Sequence, residues 1–104
     1  MQQEIVHLDY TYSEKLLEEI IQIVESYMET SQDIRSIITE TYIFARDAHE
    51  GQLRKSGEPY ITHPLEAVKL LLTLKPDLIS IQSCILHDVI EDTLKTKADI
   101  EERF

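Results

Sequence analysis

The chain has few of the residues that break helices or cross-link chains. Its 104 residues include two glycines, three prolines, a single cysteine (Cys84) and no tryptophan. One cysteine excludes an intramolecular disulfide, and the apolar neighbours of Cys84 predict a buried thiol in a reducing, cytoplasmic setting. The 42% share of hydrophobic residues excludes a disordered, low-complexity chain. We therefore expect one small, helix-rich domain with a packed core, or part of one.

Basic residues are scarce as well. Ten Lys and Arg stand against 20 Asp and Glu, for a formal net charge of −10. Nucleic acids and anionic membranes are bound through extended basic surfaces, so neither is expected as a partner. Residues 51–75 are the exception, with two acids and four bases, and this segment can attract a small anion.

Long apolar runs are absent too. No run approaches the ~18 residues of a membrane span. The N-terminus also lacks the basic and apolar regions of a signal peptide. The sequence therefore predicts neither export nor membrane insertion.

Apolar residues recur at helical spacing and predict four to five helices. The first follows a capping box formed by Thr11 and Glu14 and extends to about Met28. The second starts near residues 30–31 and ends at Gly51, since glycine commonly follows the last turn of a helix.

Two further helices are predicted in the second half of the chain, and the start of another near its end. The third covers about residues 64–74, with Pro64 in its first turn and His63 at or near its N-cap. The fourth runs from about 77 to 90 and is apolar on almost all sides, which is typical of a buried helix. A second capping box at residues 96–99 predicts the beginning of a fifth.

One loop separates the second and third predicted helices. Residues 52–62 lose the helical period, and Gly57 and Pro59 indicate a turn. Within it, Arg54, Lys55 and Ser56 combine two cations with a hydroxyl, which suits them to binding phosphate. The alternative is a polar loop that only faces solvent.

His87 and Asp88 stand out at the end of the apolar fourth helix. Buried ionisable groups are costly unless they are paired, hydrogen-bonded or bound to a metal. Imidazole nitrogen and carboxylate oxygen suit Mn, Fe, Zn or Co, and His63 is a candidate third ligand. The alternatives are an ordinary helix end beside a solvated acidic turn and, for His63, an N-cap or turn histidine.

Glu91 and Asp92 follow four residues after the His-Asp pair. If the helix continues, they lie one turn above it, about 6 Å along the axis. A carboxylate there is placed to take a proton from a water that a cation activates. The alternative is a solvated acidic face. His49 is interpreted as structural, ending the second helix or supporting the loop.

Two segments of the sequence resemble the hydrolase domain of the RelA/SpoT family of bifunctional (p)ppGpp synthetase/hydrolases. They are YIFARDAHEGQLRKSGEPYITHPL at 42–65 and CILHDVIEDT at 84–93, and His87 follows His63 by 24 residues. The resemblance implies an all-α, HD-domain-like helical bundle that hydrolyses the 3′-pyrophosphate of ppGpp or pppGpp.

The resemblance also implies roles for particular residues. Mn²⁺ would be bound by a set that includes His63, His87 and Asp88. Glu91 and Asp92 would activate or orient the water. The guanine nucleotide and its phosphates would be contacted by Arg54, Lys55 and Ser56.

The resemblance further implies that the chain is a part of such a domain. Residues 1–30 would be a variable helical lead-in, and 31–104 the N-terminal portion of the HD domain. A fourth ligand, an aspartate, is expected downstream of residue 104, so the chain alone is expected to be weakly active or inactive. Two alternatives remain open: a non-catalytic HD-fold module that binds a partner or forms a homo-oligomer through exposed core, and a phosphohydrolase for another nucleotide.

Overall fold

The fold was analysed in a computed structural model that describes residues 9–29, 33–89, 93 and 97–104. These residues form α-helices joined by turns and loops, and a short 3-10 helix, Leu72–Leu74, directly continues the third α-helix. The all-α class predicted from the sequence is confirmed. The helices are α1 (Thr11–Tyr27), α2 (Ile34–Ala48), α3 (Thr62–Leu71), α4 (Leu78–Leu86) and α5 (Lys97–Arg103).

The start of α1 differs from the predicted capping box. Thr11 is the first helical residue, and its backbone N–H donates to the Asp9 carboxylate at 2.9 Å. Ser13 is buried, and its hydroxyl lies 2.8 Å from that of Tyr42 on α2. The predicted box is therefore wrong, because Thr11 lies inside the helix, Tyr10 is the N-cap without a side-chain bond, and Asp9 accepts the Thr11 N–H.

Aspartates cap two further helices, α2 and α4. The Asp33 carboxylate accepts the Ser36 N–H at the start of α2, and Asp77 accepts the Ser80 N–H at the start of α4. The start predicted for the second helix, at residues 30–31, lies outside the described residues. Gly51 follows the end of α2 with φ of 85°, a left-handed conformation that glycine adopts readily.

The boundaries of α3 and α4 differ slightly from those predicted. Ile61 is the N-cap of α3, so His63 lies near the N-cap, in the first turn of the helix. The α4 helix ends at Leu86 and His87 and Asp88 form a turn, Val89 is again helical, and residue 90, the predicted end, lies outside the described residues. The His87 ring donates to the Cys84 carbonyl. This side-chain bond competes with the Asp88 N–H, which would donate to the same carbonyl if the helix continued.

The core lies where α1, α2, α3 and α4 pack on one another. Each of these helices contributes a fully buried aliphatic side chain, for example Ile20, Ile38, Leu65 and Ile81. The fourth helix was predicted to be buried from its apolar sides, and Ile81, Ile85 and Leu86 are buried, but Ile79 is 73% exposed. Among the described residues α4 packs against α2 and α3, which cover only part of its surface.

None of the helices in the described ranges is both long and apolar enough to span a bilayer. Three large apolar side chains, those of Leu70, Leu74 and Ile79, are more than 70% exposed. Association into a homo-oligomer stays a prediction.

Two isoleucines of α4 provide a matched test of this core. Ile81→Ala should lower the free energy of unfolding by about 3 kcal/mol, since it removes a fully buried side chain. Ile79→Ala, two residues away, should change it by about 0.5 kcal/mol or less. Urea unfolding followed by circular dichroism measures both. Equal losses would show that α4 packs differently.

Candidate metal centre

The three predicted ligands come from the start of α3 and the turn after α4. These two helices pack against each other, and ligand atoms of His63, His87 and Asp88 all lie within 4.8 Å of one another. The group is thus assembled from residues 24 positions apart in the sequence. We call these three residues the metal centre.

One carboxylate oxygen is common to the contacts within the metal centre. Asp88 Oδ2 lies 3.2 Å from His87 Nε2 and 3.9 Å from His63 Nε2. The Asp88 side chain is only 14% exposed, whereas both imidazoles are exposed. The centre therefore has a shielded carboxylate on one side and open imidazoles on the other.

The orientation of His87 is set by its own helix. Its Nδ1 lies 2.6 Å from the Cys84 carbonyl oxygen, which can only accept, so Nδ1 carries the proton. Nε2 then faces Asp88 Oδ2. In the neutral ring this places a lone pair against a carboxylate, which is favourable only with a proton or a cation between them. Metal-binding histidines commonly have this arrangement, with the second ring nitrogen bonded to a carbonyl.

These donors fit a divalent transition metal. Two neutral imidazole nitrogens and one carboxylate oxygen are the ligand types that such ions accept. A group of His, Cys, Asp or Glu that can hold a metal ion is thus present among the described residues. The assignment of each residue as a ligand stays a prediction.

The predicted phosphate-binding residues lie in an ordered turn. The Gly57 N–H donates to the Arg54 carbonyl, and the Arg54 N–H donates to the Glu58 carbonyl, each at 2.8 Å. Lys55 and Ser56 are exposed at the tip of this turn. Gly57 has φ of 92°, and a Cβ added there would meet nothing within 4 Å, so glycine is needed for conformation rather than for space.

Arg54 belongs to a cluster of its own. Its Nη1 pairs with Glu66 on α3 at 2.6 Å and lies 3.6 Å from Glu58. Glu66 is three residues after His63, so this ion pair fastens the turn to the helix that begins at the metal centre. An anion that binds Arg54 must share or replace these carboxylates.

Cys84 is half-buried, whereas a buried thiol was predicted. Burial raises the pKa of the Cys84 thiol, and the negative charge of Asp88 raises it further. The thiol therefore stays protonated at neutral pH and is a poor nucleophile.

Glu91 and Asp92, the predicted catalytic acids, lie outside the described residues. His49 has the structural position that the sequence predicted: it follows α2, is buried, and donates from Nδ1 to Gln52 Oε1 at 3.0 Å.

Sequence reasoning missed two residues. Tyr60 donates its hydroxyl to Asp88 Oδ2 at 3.1 Å, and Glu66 binds Arg54. No local pattern indicates either contact, since the partners are 28 and 12 residues apart.

Comparison with known proteins agrees with this geometry. Residues 41–104 match the HD domain family, so the chain belongs to that family. The resemblance to RelA/SpoT proteins is likewise confirmed in the relatives described next.

Three relatives illustrate the similarity. The chain is 45% identical over 89 residues to the bifunctional (p)ppGpp synthase/hydrolase SpoT of Escherichia coli K12, covering 86% of this chain and 12% of that protein. It is 42% identical over the same length to a guanosine-3′,5′-bis(diphosphate) 3′-pyrophosphohydrolase of Vibrio cholerae, with the same coverage. Over 68 residues it is 52% identical to a GTP pyrophosphokinase of Myxococcus xanthus, covering 65% of this chain and 9% of that protein. The chain thus spans about an eighth of the length of the first two relatives and 9% of the length of the third.

The turn that carries Arg54 can be tested through its glycine. Gly57→Ala should destabilise the protein by about 1 kcal/mol, because an alanine at positive φ is strained. Lys55→Ala, an exposed change in the same turn, should stay within about 0.5 kcal/mol of the parent. Thermal unfolding gives both values. An unchanged midpoint for Gly57→Ala would mean that the turn adopts another conformation.

Proposed function

We propose that this chain is the metal- and nucleotide-binding part of a (p)ppGpp 3′-pyrophosphohydrolase, which converts (p)ppGpp and water to GDP or GTP and pyrophosphate. The observation that carries the proposal is the convergence of His63, His87 and Asp88 within 4.8 Å. It is supported by relatives named for this activity, one of them 42% identical over 89 residues.

In this proposal the metal centre holds Mn²⁺, with a further ligand supplied from outside these residues. When bound, such a cation supplies the Lewis acidity that makes water a nucleophile near neutral pH. His87 is prepared for this role because the Cys84 carbonyl keeps the proton on Nδ1 and leaves Nε2 toward Asp88.

The remaining predicted residues act on the substrate and the water. Glu91 and Asp92 accept or orient the proton of the attacking water. Arg54 and Lys55 neutralise the phosphates, and the Ser56 hydroxyl donates a hydrogen bond to them. Lys55 and Ser56 are exposed at the tip of the turn, which supports this role, since a large anion can reach them.

The partner in this proposal is a guanine nucleotide, and the setting is the cytoplasm, which the single cysteine favours. The proposal also divides the chain into a variable helical lead-in at 1–30 and the N-terminal portion of the HD domain at 31–104.

Metal removal and one ligand change test the proposal together. In the full-length protein that contains this sequence, EDTA should abolish pyrophosphate release from ppGpp, and Mn²⁺ should restore it. Asp88→Asn should reduce release at least about a hundredfold even with Mn²⁺, since loss of a ligand removes both affinity and activation. Asp47→Asn, an exposed aspartate of α2, is the control and should keep full activity.

Two results would contradict this expectation. Full activity of Asp88→Asn would remove Asp88 from the site. Hydrolysis of deoxynucleoside triphosphates or cyclic nucleotides, with ppGpp left intact, would assign the site to another nucleotide.

Phosphate binding by the turn is tested at Arg54. Arg54→Ala should raise the KM for ppGpp by about tenfold to a hundredfold, as expected for loss of a charged hydrogen bond. Arg35→Ala is a matched control, because Arg35 forms a similar pair with Glu18 at 2.6 Å away from the metal centre. Steady-state kinetics at saturating Mn²⁺ measures both. Equal effects of the two changes would argue against a specific role for Arg54.

A further inference from the structure

We propose that Tyr60 is a positioning residue that holds Asp88 in the orientation in which Oδ2 meets His63 and His87. The inference rests on the proposed metal centre and extends it to a side chain that is not itself a ligand. Tyr60 would act on the metal only through Asp88.

The first support is that one atom receives the contacts of Tyr60, His63 and His87 with Asp88. The Tyr60 hydroxyl donates to Asp88 Oδ2 at 3.1 Å, and this same oxygen is the one that faces the two imidazole nitrogens. The last side-chain torsion of an aspartate has a broad energy profile, so the carboxylate has little preference of its own for one orientation. A single fixed donor to Oδ2 therefore favours the orientation in which this oxygen faces the donor.

The second support is the shielding of Asp88. Its side chain is 14% exposed, so little water is available to replace a lost donor. The Tyr60 hydroxyl therefore offers the carboxylate a partner that solvent supplies poorly at this position. An acceptor oxygen has more than one lone pair, so it can accept this bond and still bind a cation.

The third support is that Tyr60 is itself held firmly. Its ring packs against the ring of His49, with centroids 4.7 Å apart, and His49 is only 2% exposed. The Tyr60 N–H donates to the Gln52 carbonyl at 2.9 Å, and the Tyr60 carbonyl accepts the His63 N–H at 3.0 Å. These contacts fix the position of the Tyr60 side chain and join its backbone to the first turn of α3.

These contacts separate a positioning role from a purely packing role. Tyr60→Phe keeps the ring against His49 and the backbone bonds and removes the hydroxyl that donates to Asp88. Tyr27→Phe is the matched control: it removes a half-buried hydroxyl that donates to the Pro76 carbonyl at 2.8 Å and leaves the metal centre untouched.

The experiment is calorimetric titration of the metal-free, full-length protein with Mn²⁺, which needs no catalytic turnover. Tyr60→Phe should weaken Mn²⁺ binding by about tenfold to a hundredfold, the range found for lost partners of metal ligands. Tyr27→Phe should bind as the parent does. In an Asp88→Ala background, which lacks the acceptor, Tyr60→Phe should cause no further loss, because its effect passes through the Asp88 side chain.

The outcomes distinguish this inference from the function it rests on. Parent-like Mn²⁺ affinity in Tyr60→Phe, with weak binding in Asp88→Asn, would overturn the role of Tyr60 and leave the metal centre intact. Parent-like affinity in Asp88→Asn would instead overturn the metal centre. An additional loss from Tyr60→Phe in the Asp88→Ala background would show that the Tyr60 hydroxyl acts other than through Asp88 and would overturn positioning.

Discussion

The packing of α3 against α4 is the contact on which the candidate site depends. It places the first turn of α3 beside the turn that follows α4, and His63 thereby meets His87 and Asp88. Apolar side chains such as Leu65 and Ile81, which are fully buried, hold this arrangement. The hydrophobic effect has no preferred direction, but the close packing of these buried side chains fixes the relative position of the two helices and so of the polar groups.

Helix ends and the glycine turns could be predicted from local sequence, because their causes are local. Asp77 caps α4 and Gly51 follows α2 for reasons that involve only a few neighbouring residues. The capping box at the start of α1 failed because Thr11, expected at the N-cap, is the first helical residue and Asp9 accepts its N–H. The α4 helix also gives way to a turn at His87 and Asp88, within the segment whose apolar pattern predicts a helix.

The candidate site was predicted in parts, and the parts differ in origin. Chemistry alone made His87 and Asp88 unusual at the end of an apolar segment. Their meeting with His63 followed from family resemblance, since no spacing rule brings residues 24 apart together. The contacts of Tyr60 with Asp88 and of Glu66 with Arg54 depend on tertiary packing and have no local signature. A single sequence therefore reveals candidate ligands more readily than the residues that hold them.

The two carboxylates on Arg54 have a consequence for anion binding. The guanidinium is already largely neutralised by Glu66 and Glu58, so an incoming anion must compete with them. The two carboxylates also repel any anion that approaches, so the guanidinium becomes available to an anion only when its pair with Glu66 opens. The same pair joins the turn to α3, so a ligand that displaced Glu66 would also release the turn from the helix that carries His63.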